Sequence, residues 1–457
     1  MKLALVGVGS AGARIVDRIL ELEVESGRNI SNGNALVFDT AQAAFADLEY
    51  VPEENRAVFG DIYPRVEANG EDGTDGDPDL GVEVAREDIH ELRRAFDVLE
   101  FTDVDATLLV AGLGGGTGGG AGAVLLEELQ SVDEKPVYAL GVLPTDAESD
   151  QAALNAARSL QSFVTIADNT ICFDNEAWRP SIRASESSTE SPGSTDATRT
   201  DTTEADGSDG DADDGDATET NEDAAAAEEF EYDEDGPTAA AVERERVAAE
   251  RYDELNRVAA RRVLSLLGAG ELESMTIAEN RADASDIVRT LDTGGVSTIG
   301  QATLGLDRDT GGSWLPSWLP DRILEWFGGG DTEPEPTDAA KVKDLVRRAV
   351  DSRLTLPCGI SSADRTLIVL SGPPSAVSRK GFESARHWLE LEADTVEVLA
   401  GDEPRPNASQ LTATVVLSNV TSVDRIDELQ KRAVDAIEDL ESTHEETKAA
   451  AEDEFIW

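Results

Sequence analysis

The stretch Ala111-Gly-Leu-Gly-Gly-Gly-Thr-Gly-Gly-Gly-Ala121 decides the fold of this chain. An apolar strand pattern at residues 106–111 precedes it, and a helical pattern follows it. Glycine lets the backbone approach a polyphosphate closely, and inward N–H groups with the positive end of the next helix stabilise the negative charge. We therefore predict a phosphate-binding loop, to which Thr117 adds a hydroxyl donor. Its residues are Gly114, Gly115, Gly116, Thr117 and Gly118.

A second glycine-rich turn follows an apolar strand pattern at residues 3–8. Alone, this turn fits an NAD-binding Rossmann unit equally well, with Asp39 where a ribose-binding acid would stand. A dinucleotide fold does not call for a second polyglycine loop, so an NAD-binding Rossmann oxidoreductase is the less favoured alternative. The predicted ligand contacts in the turn are Gly7, Gly9, Ser10, Ala11, Gly12, Ala13 and Arg14.

The composition limits the possible partners and compartments. The 457 residues carry 95 Asp and Glu against 38 Lys and Arg, a net charge of −57, which argues against nucleic-acid binding. We interpret this acidity as adaptation to a cytoplasm of molar salt; an acidic interaction protein of ordinary cytosol is the alternative. Two cysteines and three histidines lack the spacing of a disulfide framework or a zinc site. Neither a signal peptide nor a membrane span is evident, so we expect a cytoplasmic protein.

The order of predicted elements indicates an α/β fold. Strand patterns near residues 3–8, 35–40, 106–111, 136–143 and 169–174 alternate with helical stretches, which predicts a mostly parallel sheet with helices on both faces. Residues 181–237 contain almost no large apolar side chain, and we predict a disordered acidic insertion there. A long central helix is expected at about 239–267.

The remainder predicts a smaller α+β domain. We place it at residues 288–440, with an acidic tail at 441–457; the first domain comprises residues 1–180 and 238–287. Its expected strands lie at 366–370 and 411–417, and its expected helices at 338–352, 377–391 and 422–440.

The glycine loop at 114–118 resembles the phosphate-binding signature of the tubulin/FtsZ superfamily. Further segments are similar to the CetZ proteins of halophilic archaea, and the likeness covers nearly the whole chain outside the insertion. Those segments are 140–144, 154–159, 294–300, 354–358 and 372–374. The resemblance implies a tubulin-like cytoskeletal GTPase that binds GTP or GDP with Mg²⁺, assembles head to tail and is involved in cell shape. Its Mg²⁺ ligands are not evident, because acidic candidates occur throughout the chain.

The same resemblance implies further nucleotide contacts. Asn175 matches the loop that reads guanine, and Tyr252 and Asn256 match a pair on one helix face that stacks on and hydrogen-bonds the base. Gly76 and Asp77 match the loop against the terminal phosphate, and Glu148 matches the ribose loop. The first glycine turn departs from the family, with Ser10 for a usual Gln, Ala13 for Gly and Arg14 for a usual Lys.

Two acids match the loop with which this superfamily completes the active site of the next subunit. Asp286 corresponds to the principal catalytic acid and Asp283 to the second, and a carboxylate at such a position orients the attacking water. By chemistry alone, the two residues fit a solvated turn or a helix cap equally well. A GTP-binding regulator of other tubulin-like filaments, without hydrolysis, is the alternative function.

The segment 312–330 is rich in tryptophan. Because Trp favours interfaces, we hypothesise an anchor for a neighbouring filament or for the inner membrane surface; a loop folded onto its own domain is the alternative. The tryptophans concerned are Trp314, Trp318 and Trp326.

Overall fold

The computed structural model describes residues 1–132, 134–179, 239–269, 282–306, 338–352, 354–395 and 397–454. The predicted insertion at 181–237, the tryptophan-rich segment with Trp314, Trp318 and Trp326, and residues 455–457 lie outside these ranges. Within the described ranges, no helix combines the length and the apolar character needed to cross a membrane.

The strands of the described residues form one ten-stranded sheet in the order β3-β2-β1-β4-β5-β6-β7-β10-β8-β9. The pairs from β3 to β7 are parallel, β10 is antiparallel to both β7 and β8, and β8 and β9 are parallel. The strands are β1 (Leu3–Val8), β2 (Ala35–Asp39), β3 (Arg56–Val58), β4 (Ala106–Gly112), β5 (Val137–Leu143), β6 (Asn169–Asp174), β7 (Val296–Gly305), β8 (Arg365–Gly372), β9 (Glu397–Pro404) and β10 (Gln410–Ser418).

Helices connect and cover these strands. A π-helical turn at Thr117–Ala121 follows β4 and continues directly into the α-helix that begins at Gly122. The α-helices include α1 (Gly9–Ser26), α2 (Pro64–Asn69), α3 (Pro78–Glu87), α4 (Ile89–Ala95), α5 (Gly122–Val132), α6 (Asp150–Ile166), α7 (Ala239–Leu267), α8 (Ala284–Leu291), α9 (Asp338–Ser352), α10 (Arg379–Ala393) and α11 (Asp424–Glu454).

Both faces of the parallel region are buried, which explains its continuous apolar strands. In β4, Leu109 and Ala111 belong to one hydrophobic cluster, whereas Leu108 and Val110 belong to the cluster on the other face. Side chains of successive strand residues point to opposite faces, so a strand covered on both sides needs apolar residues at every position.

The prediction of a mostly parallel α/β fold is confirmed. The five expected strands of the first half form within a residue or two of their predicted bounds, and α7 has the predicted bounds. The sequence interpretation missed β3, β7 and β9, and α11 continues to Glu454, beyond the predicted end at 440. Because β6 pairs with β7, one sheet runs through both predicted domains, whose boundaries remain a prediction.

The central helix α7 connects the two edges of the parallel region. The ammonium group of Met1, just before β1, donates a hydrogen bond to the carbonyl oxygen of Leu267 at 2.9 Å, so α7 ends at the edge where β1 begins. Tyr252 and Asn256, three to four turns earlier in α7, face the opposite edge, where β1 leads into α1.

Candidate functional site

A cavity of about 360 Å³ lies at the carboxyl ends of the parallel strands, the edge at which open α/β sheets bind ligands. It collects fourteen of the eighteen predicted nucleotide contacts. These are Gly9, Ser10, Ala11, Arg14, Gly76, Gly114, Gly115, Gly116, Thr117, Gly118, Glu148, Asn175, Tyr252 and Asn256. The sequence interpretation therefore identified most of this surface.

The glycine loop after β4 is packed so closely that side chains do not fit at several positions. A Cβ atom on Gly118 would lie 2.5 Å from the carbonyl oxygen of Gly112, and one on Gly116 would lie 2.5 Å from the Thr74 hydroxyl oxygen. Gly115 differs, because the nearest atom to its Cβ position is 3.9 Å away. The loop thus presents backbone to the cavity and leaves open space above Gly115.

The first glycine turn packs against that loop. Gly9 has a φ of +75°, and its Cβ position lies 2.9 Å from the backbone nitrogen of Gly118. Three predicted contacts of this turn, Gly7, Gly12 and Ala13, are not among the described residues that line the cavity. A Cβ on Gly12 would lie 2.2 Å from the carbonyl oxygen of Val110, so this glycine allows α1 to approach β4.

Three buried hydroxyl groups meet at the phosphate loop. The Thr117 hydroxyl lies 2.8 Å from that of Thr40 and 3.0 Å from that of Thr74. Thr74 lines the cavity with Gly76, whereas Asp77 is absent from the described lining, because its carboxylate caps α3 by accepting from the backbone nitrogens of Asp79 and Leu80. Sequence reasoning singled out neither Thr40 nor Thr74, although Thr74 lies in the same predicted loop as Gly76 and Asp77.

The opposite side of the cavity joins α7 to the loop before α6. The Tyr252 hydroxyl donates to the Glu148 carboxylate at 2.9 Å, and the same oxygen accepts from the backbone nitrogen of Thr145 at 2.7 Å. Burial and the neighbouring carboxylate raise the pKa of Tyr252 to about 12, so its hydroxyl remains a donor near neutral pH. Asn256 on α7 and Asn175 after β6 complete this side.

Acidic side chains also line the cavity. Asp39, the last residue of β2, is 4% exposed, and burial raises its pKa to about 6. Its carboxylate accepts hydrogen bonds from the backbone nitrogen of Ala41 and the Ser10 hydroxyl, at 3.0 and 3.4 Å. Glu71 and Asp72 line the cavity as well, and no sequence signal distinguished them in so acidic a chain.

The two predicted catalytic acids lie at the other edge of the sheet. Asp283 and Asp286 form a reciprocal cap at the start of α8: the Asp286 backbone nitrogen donates to Asp283 at 3.1 Å, and the Asp283 backbone nitrogen donates to Asp286 at 3.2 Å. A hydrogen bond from Ser285 is the main cause that lowers the pKa of Asp283, and the ammonium group of Met1 also contributes. Asp283 therefore lies near the beginning of β1.

The length of the sheet separates these acids from the cavity of the same chain. The cavity lies beyond the carboxyl end of β1, and the six residues of that strand extend about 20 Å. Neither Asp283 nor Asp286 is among the described residues that line the cavity. The structure thus brings the predicted binding residues together and leaves the predicted catalytic pair apart from them.

The comparisons with known proteins assign the family. Residues 2–183 match the Tubulin/FtsZ family GTPase domain, and residues 245–435 match the tubulin-like CetZ C-terminal domain. Tubulin-like protein CetZ1 of Haloferax volcanii is 35% identical over 448 residues, covering 96% of this chain and 94% of the relative. The chain belongs to the CetZ family of tubulin-like proteins. CetZ3 of the same organism is 36% identical, over 99% of this chain and 97% of the relative.

Solved CetZ structures share the fold. A GDP-bound monomer of CetZ1 from Haloferax volcanii aligns with a TM-score of 0.67 at 32% identity, covering 95% of this chain and 99% of the other. A GTPγS-bound protofilament of CetZ2 from the same organism aligns with a TM-score of 0.67 at 27% identity, covering 96% and 100%. The predicted tubulin/FtsZ fold is confirmed, and the family assignment displaces the Rossmann oxidoreductase alternative.

Proposed function

We propose that this CetZ-family chain binds GTP in the described cavity, assembles head to tail and hydrolyses GTP at the interface between subunits, in a cytoplasmic filament that controls cell shape. The nucleotides named for the two solved relatives support the choice of ligand, and the protofilament of one relative supports self-assembly. The observation that carries the proposal is the separation of the cavity from Asp283 and Asp286.

Head-to-tail stacking resolves that separation. When the edge of one subunit at which β1 begins contacts the cavity edge of the next subunit, the acids at the start of α8 face the neighbour's cavity. Phosphoryl transfer needs a positioned water and stabilised phosphate charge, which in this arrangement come from different subunits. Turnover then requires an interface and depends on protein concentration.

Each part of the cavity has a separate task in this proposal. The glycine loops and the Thr117 hydroxyl hold the phosphates, and Arg14 adds a cation at the same end. Asn175, Tyr252 and Asn256 hold the guanine. In the next subunit, Asp286 orients the attacking water and accepts its proton, and Asp283 stays ionised beside it, consistent with its lowered pKa.

The cavity also suits a magnesium ion. Mg²⁺ prefers oxygen ligands, keeps several waters and usually takes one or two carboxylates together with substrate phosphates. Among the described residues, no cluster of three or more His, Cys, Asp or Glu side chains is placed to hold a metal alone. Asp39, Asp72 and the Thr117 hydroxyl supply oxygens around the phosphate end, and the bound ion would neutralise phosphate charge.

The test is phosphate release from GTP in molar KCl over a series of protein concentrations. The shared site predicts a threshold concentration below which turnover vanishes. Turnover proportional to protein concentration at all dilutions would contradict a site shared between subunits. Molar salt is used because the chain has a net charge of −57, and at this ionic strength the Debye screening length falls to about 3 Å, which weakens repulsion between subunits.

A non-hydrolysing regulator of other tubulin-like filaments is the second candidate function. One observation favours it: the Asp283 and Asp286 carboxylates already accept hydrogen bonds that cap α8, a purely structural role. In this case the chain binds GTP and joins filaments, but substitution of Asp286 leaves phosphate release and filament lifetime unchanged.

A further inference from the structure

Arg425, the second residue of α11, reaches across the molecule to the base side of the cavity. Its side chain is 7% exposed, and its guanidinium group bonds three different groups. It donates to the Asp146 carboxylate at 2.6 Å, to the carbonyl oxygen of Pro144 at 2.9 Å and to the Asp174 carboxylate at 3.3 Å. The guanidinium group of Arg425 thus joins the loop before α6 to the end of β6.

Two of the three groups bonded by Arg425 lie in or directly beside the cavity lining. Pro144 itself lines the cavity, and Asp174 immediately precedes Asn175, which also lines it. Arg432, two turns later in α11, bonds the same loop: it donates to Asp150 at 2.7 Å and to the carbonyl oxygen of Glu148 at 3.3 Å. The wall that faces the base and ribose is therefore held from outside by α11.

On the phosphate side, the described residues of α11 make no direct hydrogen bond or ion pair to the glycine loops. These loops pack against each other and against β1 and β4 through the close backbone contacts of Gly9, Gly12 and Gly118. The loop at 144–150 also approaches the phosphate side, since the Cβ position of Gly114 lies 3.4 Å from Pro144 and Asn155 on α6 donates to the carbonyl oxygen of Gly114 at 3.0 Å. Displacement of this loop would therefore alter the base and ribose contacts more than the phosphate cradle.

The pairing of Arg425 with Asp174 is costly to break. Both side chains are almost fully buried, at 7% and 4% exposure, and a buried carboxylate without a partner is strongly unfavourable. Burial raises the pKa of Asp174 to about 6 despite the neighbouring guanidinium group. Lysine offers one point charge, whereas the planar guanidinium group serves the three acceptors in different directions.

We propose that Arg425 is a positioning residue that sets the nucleoside selectivity of the cavity: it places Pro144 and Asn175 so that a guanine nucleotide binds better than a bare polyphosphate. This inference rests on the proposed function, because it takes GTP as the ligand. It adds that a helix of the C-terminal half, rather than the glycine loops, determines how well the base and ribose are held.

The test compares two probes on the full chain in molar KCl. GTP is measured directly by equilibrium binding, and inorganic tripolyphosphate is measured by its competition with a fluorescent GTP analogue. For Arg425→Gln we expect GTP affinity to fall about tenfold, with tripolyphosphate affinity within twofold of the original protein. The GTP affinity of Arg425→Lys should lie between those of the original protein and Arg425→Gln, because lysine retains the charge and lacks the planar guanidinium group.

Arg347→Gln is the matched control, since it makes the same charge change at an exposed arginine that pairs with Asp351 on α9. It should alter neither affinity. The double variant Arg425→Gln/Asp174→Asn removes both buried partners; it should regain thermal stability but keep the reduced preference for GTP. This variant serves in place of the single one if Arg425→Gln does not fold.

Three results would overturn the inference. They are an unchanged GTP affinity in folded Arg425→Gln, an equal loss for GTP and tripolyphosphate, and full recovery of GTP affinity in the double variant, which would assign the effect to the unpaired carboxylate. Failure of the proposed function looks different, because the unsubstituted chain would then not bind GTP at all.

Discussion

The two edges of the parallel sheet are built on different principles. At the carboxyl edge, loops after several strands form a concave surface in which seven glycines stand beside polar and charged side chains. At the amino edge, the start of α8 presents two carboxylates on an exposed helix end. The carboxyl edge is therefore concave, whereas the start of α8 at the amino edge is accessible to another molecule.

Among the described residues, neither edge combines the predicted nucleotide contacts with the predicted catalytic acids. The cavity lining contains the glycine loops, hydroxyl groups and predicted base contacts, whereas Asp283 and Asp286 lie at the helix end. In the proposed function, binding and chemistry are therefore separated by the length of a strand. Substitutions at the two edges should therefore affect different steps.

The largest expected effect belongs to the amino edge. Asp286→Asn should lower phosphate release about 100-fold or more, the range for loss of a general base, while GTP affinity stays unchanged. The asparagine oxygen still accepts the capping hydrogen bond, so the fold should persist. Asp292→Asn, at the exposed far end of α8, is the control and should retain full activity. Normal turnover in Asp286→Asn would contradict a catalytic role for this carboxylate, and absent turnover in the unsubstituted chain would favour the regulatory alternative.

The next effect belongs to the carboxyl edge. Gly115→Asp places a carboxylate in the open space above the phosphate loop, and we expect GTP affinity to fall about 100-fold through repulsion of the phosphates. The thermal midpoint without nucleotide should not change, since the nearest atom to the new Cβ is 3.9 Å away. Gly305→Asp makes the same charge change at an open position on β7. Undiminished binding by Gly115→Asp would place the phosphates elsewhere.

A smaller effect is expected from the buried acid of the cavity. Because the pKa of Asp39 is about 6 when folded and near 3.8 when unfolded, its contribution favours the folded state below pH 4 and is lost as the pH rises through 6. Relative to the original protein, Asp39→Asn should gain about 1 kcal/mol of stability between pH 5 and pH 7.5. Denaturant unfolding at the two pH values without nucleotide measures this; a difference independent of pH would contradict the raised pKa.

The smallest effect concerns the tryptophan-rich segment. Deletion of residues 313–327 should leave GTP affinity within about twofold of the original, because the described lining of the cavity comes from other segments. Equilibrium binding and filament pelleting, measured together, separate an assembly role from a folding role. Loss of nucleotide binding would show that the segment supports the fold.

The sequence predicted what is local and periodic. Five of the parallel strands, β1, β2, β4, β5 and β6, were predicted because their apolar residues are continuous. The cavity was predicted because glycine-rich turns follow two of these strands. Thr40 was missed because a single threonine beside a strand carries no pattern. Thr74 was not singled out because its loop, which contains Gly76 and Asp77, was expected to act through backbone amides. β9 was missed because Gly401, Asp402 and Glu403 interrupt its apolar residues.

Contacts between distant parts of the chain could not be predicted in this way. Arg425 is separated by 251 residues from Asp174 and by 281 from Pro144, and only the folded structure shows that they meet. The opposite positions of the cavity and the α8 acids likewise depend on where α7 ends, next to Met1. The resemblance to tubulin-like proteins predicted a catalytic role for the two acids. Their distance from the cavity of the same chain explains why that role would require a neighbouring subunit.

If one subunit binds the nucleotide and the next supplies the acid, two variants with different defects should complement each other. This is tested most directly by mixing Asp286→Asn with Gly115→Asp in molar KCl and measuring phosphate release from GTP. Each variant lacks what the other retains, so the account predicts that the mixture releases phosphate several-fold faster than the mean of the two variants alone. A rate equal to that mean would contradict it, because the acid and the cavity would then have to act within one chain.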